Sequence, residues 1–203
     1  MNLSELNQYK RAFNAEGLTE EQIFSKIAFQ LKPTFKTNDE NRNSYQNLIY
    51  YFTDDKRFDG DLDKGLLLIG GYRSGKSLAM EICQLFSATK GRYILNFDTV
   101  DVNALFQKHG YDFLSIVDPA TEVYLDDLGA DYGRVNSFGT IDDPITILLY
   151  KREKRFGKDG TKTHASSNLD VKLLQERFPD KIFERILEMF NIISFDVNPN
   201  KRK

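Results

Sequence analysis

The sequence has no tryptophan and only one cysteine, two histidines and five prolines among its 203 residues. A lone cysteine, Cys83, cannot form an internal disulfide, and so few cysteines and histidines give no basis for a structural zinc site. No stretch approaches the roughly eighteen apolar residues of a membrane-spanning helix. The N-terminus lacks the basic and apolar blocks of a signal peptide. These absences predict a cytoplasmic protein that does not bind a membrane.

Neither sign of charge is in large excess. The 28 Lys and Arg residues are nearly balanced by 30 Asp and Glu residues, which gives a formal net charge of −2. A chain with this balance has no overall positive field to attract nucleic acid, so any DNA contact would have to come from a local patch. The length suits one domain with a substantial core.

A phosphate-binding motif is the strongest positive signal. Residues 70–77 read G-G-Y-R-S-G-K-S, which matches the pattern G-x-x-x-x-G-K-[ST]. In this motif the Lys76 ammonium reaches the β- and γ-phosphates and the Ser77 hydroxyl binds Mg²⁺. The sequence therefore predicts ATP and Mg²⁺ as ligands. The predicted nucleotide-binding residues are Gly70, Gly71, Tyr72, Arg73, Ser74, Gly75, Lys76, Ser77 and Leu78.

Two later segments place polar side chains at the ends of predicted strands. Residues 123–129 read V-Y-L-D-D-L-G, and we assign Asp126 to the metal and Asp127 to the attacking water, because side chains alternate along a strand. Residues 166–169 read S-S-N-L, where Asn168 would contact the γ-phosphate or the water. An equally simple interpretation makes this segment the N-cap of the next helix.

Strands and helices are predicted to alternate from residue 65 onwards, which favours a mostly parallel α/β sheet covered on both faces. The first 45 residues are predicted to be a helical segment, with a capping box at Thr19 and Gln22 and a helix end before Pro33. The predicted strands are 66–69, 92–97, 122–126, 161–166 and 191–196. The predicted helices after the motif are 76–87, 100–108, 141–156, 170–176 and 180–189.

Together these segments resemble the DnaC and IstB branch of the AAA+ ATPases, which are bacterial helicase loaders and transposition helper ATPases. The resemblance covers residues 45–200. It is carried by the phosphate loop, by V-Y-L-D-D-L-G, by S-S-N-L, and by R-I-L-E-M-F-N-I-I-S-F from Arg185 onwards. Glu122 departs from the apolar run usual before the metal-binding aspartate, and we expect an ATPase core that lacks a full C-terminal lid.

The resemblance implies a three-layer P-loop fold of the ASCE type, with the phosphate-loop strand central, the carboxylate strand beside it, and an ATPase core over residues 46–203. By position, Lys76 and Ser77 match the Walker A residues, Asp126 the Walker B aspartate and Asp127 the catalytic acid. Asn168 matches sensor 1 and Arg185 the arginine finger, while Arg202 is a poor match to a late sensor arginine.

For function, the resemblance implies ATP hydrolysis coupled to nucleotide-dependent self-assembly. The implied partners are a replicative helicase and single-stranded DNA, with residues 1–45 as a partner-binding segment. Two alternatives stay open: a transposition helper that acts on a transposase, and an adaptor that binds ATP without hydrolysing it.

Two basic patterns have two interpretations each. Residues 151–158 form a basic stretch that would either complement the end of a helix or contact DNA. Arg177, Lys181 and Arg185 are four residues apart and would lie on one side of a helix. Spacing alone favours a solvated surface for them over a role at a neighbouring subunit's nucleotide.

Overall fold

The computed structural model describes residues 1–37, 41–119, 121–130 and 133–195. Three helices come first, and strands and helices then alternate as predicted. In chain order the elements are α1 (Leu3–Ala12), α2 (Glu20–Leu31), α3 (Arg42–Phe52), β1 (Gly65–Ile69), α4 (Lys76–Thr89), β2 (Ile94–Asp98), α5 (Thr99–His109), α6 (Leu114–Val117), β3 (Glu122–Asp126), β4 (Val135–Ser137), β5 (Thr140–Asp142), α7 (Pro144–Asp159), β6 (Thr163–Ser167), α8 (Val171–Arg177), α9 (Asp180–Met189) and β7 (Phe190–Ser194).

Five strands form one sheet in the order β2-β3-β6-β1-β7, and all four neighbouring pairs are parallel. The prediction that the carboxylate strand β3 lies beside the phosphate-loop strand β1 is wrong, because β6 lies between them. All five strands end at the same edge, where Asp98 of β2 is in register with Asp126 of β3. Ligands of open parallel sheets bind at this edge.

Each face of the sheet is covered by its own layer of helices. Leu66 and Leu68 point into the cluster that contains α1, α2, α3 and α4. Leu67 and Leu125 point to the opposite face, into the cluster formed with α5, α7 and α9. This period-two alternation on a strand that is apolar throughout is what a sheet covered on both sides requires. The predicted three-layer α/β architecture is confirmed.

The N-terminal helices share the core of the sheet domain. Leu6 of α1 and Ile27 of α2 are fully buried in the same cluster as Leu66 and Ala79. The start of α2 is fixed by the predicted capping box, in which Thr19 accepts from the Gln22 amide and Gln22 accepts from the Thr19 amide. The division at residue 45 and a partner-binding role for the first segment stay predictions.

Several local features differ from expectation. A short hairpin of β4 and β5 precedes α7, which begins at Pro144 rather than near residue 141. Arg177 ends α8 and is separated from α9 by Pro179, so it does not share a helix with Lys181 and Arg185.

The described helices include none that combines the length and the apolar composition needed to span a membrane.

Candidate nucleotide site

The phosphate loop joins β1 to α4, as its sequence predicts. Gly75 has φ +98°, a left-handed conformation that suits glycine, and its carbonyl accepts the first helical hydrogen bond from Ala79. Arg73 is also left-handed at φ +64°, which is uncommon for a side chain with a Cβ. The amides at the start of α4 therefore lie at the sheet edge, where a helix N-terminus favours an anion.

Lys76 is the cation at the centre of this loop. Its side chain is 5% exposed, and its ammonium donates to the carbonyl oxygens of Gly70 at 2.8 Å and Gly71 at 3.1 Å. It also donates to Asn168 Oδ1 at 2.9 Å and contacts Ser74 Oγ at 3.3 Å. The loop therefore folds around its own lysine and connects it to the tip of β6.

Asp126 ends β3 and accepts three hydroxyl hydrogen bonds on a single oxygen, Oδ1. The donors are Ser166 at 2.5 Å, Tyr124 at 2.6 Å and Ser77 at 3.3 Å. Ser166 and Tyr124 are buried, and burial followed by the nearby Asp126 charge raises the pKa of the Tyr124 phenol. The carboxylate is thereby held toward α4, which is where the phosphate loop delivers Ser77.

Asp127 lies just beyond the strand and points to a different partner. Its backbone is left-handed at φ +59°, and its amide donates to Ser166 Oγ at 3.2 Å. Asn168 Nδ2 donates to Asp127 Oδ1 at 2.7 Å. Burial, followed by the charge of Asp126, raises the pKa of Asp127 above its ordinary value. The adjacent carboxylates therefore have different surroundings, as their assignment to different roles requires.

Asn168 links the two halves of the site. It accepts from Lys76 through Oδ1 and donates to Asp127 through Nδ2. The N-cap interpretation of S-S-N-L is wrong, because Asp170 caps α8 by accepting from the Leu173 amide at 2.9 Å. Ser167 instead donates to the Leu128 carbonyl at 2.6 Å.

The residues present fit a magnesium ion bound together with a nucleotide. Ser77 Oγ and Asp126 Oδ1 are hard oxygen donors 3.3 Å apart at the N-terminus of α4. Within the described ranges, no group of three or more His, Cys, Asp or Glu side chains could hold a metal by itself. Mg²⁺ commonly uses one or two protein ligands and completes its octahedron with phosphates and water.

A polar network that sequence reasoning missed lies at the amino ends of β3 and β6, at the edge of the sheet opposite the site; His164 is fully buried there, whereas Glu122 and Arg92 are partly exposed. The Arg92 guanidinium donates two hydrogen bonds, of 2.7 and 2.9 Å, to the two carboxylate oxygens of Glu122. His164 Nε2 lies 3.1 Å from Glu122 Oε2. His164 Nδ1 accepts from the Leu66 amide, so we assign a neutral ring that carries its proton on Nε2. Burial lowers the pKa of His164, in agreement with that assignment. Glu122 is thus partnered at the apolar position where it departs from the family pattern.

Replacing Glu122 by glutamine should destabilise the fold by about 1–3 kcal/mol, because the partly buried Arg92 guanidinium loses a charged hydrogen-bond acceptor. Burial acts to raise the Glu122 pKa, but His164 and Arg92 together bring it to about 2, below its ordinary 4.5. The carboxylate's contribution to stability is complete above pH 4.5 and is lost as the pH falls toward 2. Urea unfolding at pH 7, 4.5 and 3 should show a difference between wild type and variant that shrinks with acidity. A constant difference would contradict the network.

Arg185 lies away from this constellation on the surface formed by α7 and α9. Its guanidinium forms an ion pair with Glu153 and lies 4.8 Å from the ring centroid of Tyr150. The structure therefore places Asp126, Asp127 and Asn168 with the phosphate loop, whereas Arg185 contacts α7. Arg202 lies outside the described residues.

The basic stretch 151–158 divides into two groups. Arg152 is fully buried and donates to Thr163 and to three backbone carbonyls, and both Arg152 and Arg155 form ion pairs with Asp118. These two arginines hold the chain before β3 against α7. Lys151, Lys154 and Lys158 are exposed.

No protein-family model and no curated protein matches the chain. Solved structures do share its fold. DnaI matches with a TM-score of 0.63 at 18% identity over 87% of this chain and 93% of DnaI. The DnaC helicase loader matches with a TM-score of 0.58 at 21% identity, over 81% of this chain and 94% of that one.

DnaA from Aquifex aeolicus, solved with bound AMPPCP, matches with a TM-score of 0.60 at 14% identity. The match covers 83% of this chain but only 50% of DnaA. At these identities the likeness is one of fold. The resemblance derived from the motifs is confirmed at that level: the chain has the fold that DnaI, the DnaC helicase loader and DnaA share.

Proposed function

We propose that this protein is an ATP- and Mg²⁺-dependent ATPase that loads or remodels a replicative helicase on single-stranded DNA in the cytoplasm. One observation carries the enzymatic part of the proposal. Asn168 links the phosphate-loop cation Lys76 to the carboxylate of Asp127 through two side-chain hydrogen bonds, of 2.9 and 2.7 Å. Such an arrangement ties recognition of the terminal phosphate to the orientation of a base.

The described residues divide the work of hydrolysis. Lys76 would leave the loop carbonyls to bind the β- and γ-phosphates, with the amides of residues 70–78 around them. An ion held by Ser77 and Asp126 would neutralise charge on the phosphoryl oxygens. Asp127 would accept a proton from the attacking water, and its raised pKa makes it a stronger base. Asn168 would hold Asp127 and the γ-phosphate in one geometry.

A helicase as the client is supported by the shared fold with the DnaC helicase loader, which covers most of both chains. The first 45 residues would bind that client. Because Leu6 and Ile27 belong to the main core, such binding would use the exposed side of α1 and α2 rather than a free module.

Arg185 would complete the site of a second copy, so ATP would favour self-assembly. Its position on α9 supports action between subunits, because it contacts Glu153 and Tyr150 of α7 rather than the phosphate loop and is still partly exposed. Arginine donated by a neighbouring protein stabilises charge in phosphoryl transfer.

Steady-state ATPase measurements over a range of protein concentrations test this proposal, with and without single-stranded DNA and a helicase. We expect specific activity to rise with protein concentration. Arg185→Ala should bind ATP normally but lose the concentration-dependent part. Mixing Arg185→Ala with Lys76→Ala should restore activity, because one variant supplies the intact loop and the other the intact arginine.

Tight ATP binding with no turnover under any of these conditions would favour an adaptor instead. Stimulation by a transposase, with none by a helicase, would favour the transposition helper. Equal activity of wild type and Arg185→Ala would contradict the intersubunit role.

A further inference from the structure

The surface around Tyr150 carries a local charge opposite to that of the chain as a whole. Tyr150 is 39% exposed, and two cations lie against its ring: Lys154 Nζ at 4.4 Å and Arg185 Cζ at 4.8 Å from the centroid. A hydrogen bond from Lys154, together with the charges of Lys154, Arg185 and Lys151, lowers the Tyr150 pKa. Two cations therefore lie against one partly exposed aromatic ring.

Glu153 is the carboxylate in contact with this group, through its ion pair with Arg185. Both side chains remain about one-quarter exposed, at 24% for Glu153 and 28% for Arg185. An ion pair with this exposure is weak, on the order of 0–1 kcal/mol, so a better anion can replace the carboxylate. A terminal phosphate is such an anion, because it carries more negative charge than a carboxylate and also accepts two parallel hydrogen bonds from a guanidinium group.

Negatively charged side chains lie at the carboxyl edge of the sheet. Asp98 and Asp126 are in register at the ends of β2 and β3, and Asp127 follows directly. Burial raises the pKa of Asp127, and the charges of Asp126 and Asp98 add to that rise, so the three carboxylates lie close to one another. A bound triphosphate would add further negative charge to this edge. Complementary charge on two different surfaces of one chain favours a head-to-tail contact between copies.

We propose that Tyr150, Lys154 and Arg185 form one phosphate-docking surface for the nucleotide held by a second copy, and that Glu153 competes with that nucleotide for Arg185. This inference rests on the proposed function, in which Arg185 alone reaches the neighbouring nucleotide. It adds Lys154 as a second cation and Glu153 as a competitor for Arg185 within the same chain. Tyr150 is a positioning residue, whose ring holds the two cations side by side. Glu153 limits assembly until a nucleotide occupies the neighbouring loop.

Self-association of the full chain in the presence of AMPPCP and Mg²⁺ tests the proposal, measured by sedimentation velocity over a range of protein concentrations. Glu153→Gln should lower the concentration of half-association by about two- to five-fold, as expected for removal of an exposed competing pair. Lys154→Gln should raise that concentration by about two- to five-fold and weaken its dependence on salt.

Lys158→Gln is the matched control, since it removes the same charge one turn further along α7. It should leave half-association close to the wild-type value. If Arg185→Ala lowers association while Glu153→Gln and Lys154→Gln behave like wild type, the proposed function stands and this inference fails. An effect of Lys158→Gln equal to that of Lys154→Gln would also overturn it. If the wild type shows no AMPPCP-dependent association, both the proposed self-assembly and this inference are wrong.

Discussion

Replacing Lys76 by alanine should weaken ATP binding by about 100-fold or more. The ammonium is buried at the centre of the loop, and its present partners are the Gly70 and Gly71 carbonyls and Asn168. Exchanging those neutral partners for phosphate oxygens would create charge-assisted hydrogen bonds, each worth about 1.5–3 kcal/mol. Losing two of them accounts for the expected decrease. Titration with a fluorescent ATP analogue measures it.

Lys90→Ala is the control for this variant. Lys90 follows the other end of α4 and pairs with Glu20 on the surface, so its loss makes the same chemical change away from the loop. It should bind ATP like wild type. Circular dichroism should show that both variants are folded, because Lys76 makes its contacts within the loop and to the β6 tip. ATP binding by folded Lys76→Ala with an affinity close to that of wild type would contradict the assignment of the loop.

Replacing Asp127 by asparagine should leave ATP affinity within about three-fold and lower turnover by about 10²–10⁴-fold, the range for loss of a general base. Asparagine is suited to this test because it tolerates the left-handed backbone found here at φ +59°. Its amide oxygen can still accept from Asn168 Nδ2. The variant therefore removes the charge and basicity while the geometry is kept. Single-turnover hydrolysis separates the chemical step from binding.

Asp98→Asn is the matched control for Asp127→Asn. Asp98 caps α5 by accepting from the Val100 amide at 2.7 Å, a role that asparagine fills equally well. Turnover by Asp98→Asn should stay near that of wild type.

Turnover by the wild type should decrease as the pH is lowered, because Asp127 becomes protonated. Since burial raises the Asp127 pKa, this decrease should occur at a higher pH than for an ordinary aspartate. An unchanged rate in Asp127→Asn would remove its catalytic role.

Local sequence signals predicted the elements that position the site. The apolar residues before the two aspartates gave β3 its observed bounds, and the motif placed the start of α4 at Lys76. Turn and capping residues act within a few positions of one another, so the capping box at Thr19 and the helix over 180–189 could be read directly. The convergence of Lys76, Asp126 and Asn168 followed from the rule that parallel strands end at one edge.

Pairings between distant segments could not be read in the same way. The insertion of β6 between β1 and β3 depends on how helices cover the two faces, which no local pattern encodes. Glu122 could be recognised as polar in an apolar strand, but its partners Arg92 and His164 are 30 and 42 residues away. The three-residue strands of the hairpin before α7 are too short for a periodic signal.

A crystal structure of the protein with AMPPCP and Mg²⁺ tests the central claim most directly. We expect the triphosphate on the amides of residues 70–78, Lys76 Nζ on phosphate oxygens, and the ion bound by Ser77 and reached by Asp126 directly or through one water. A nucleotide bound elsewhere, or Asp126 turned away and beyond the reach of a bridging water, would contradict the account.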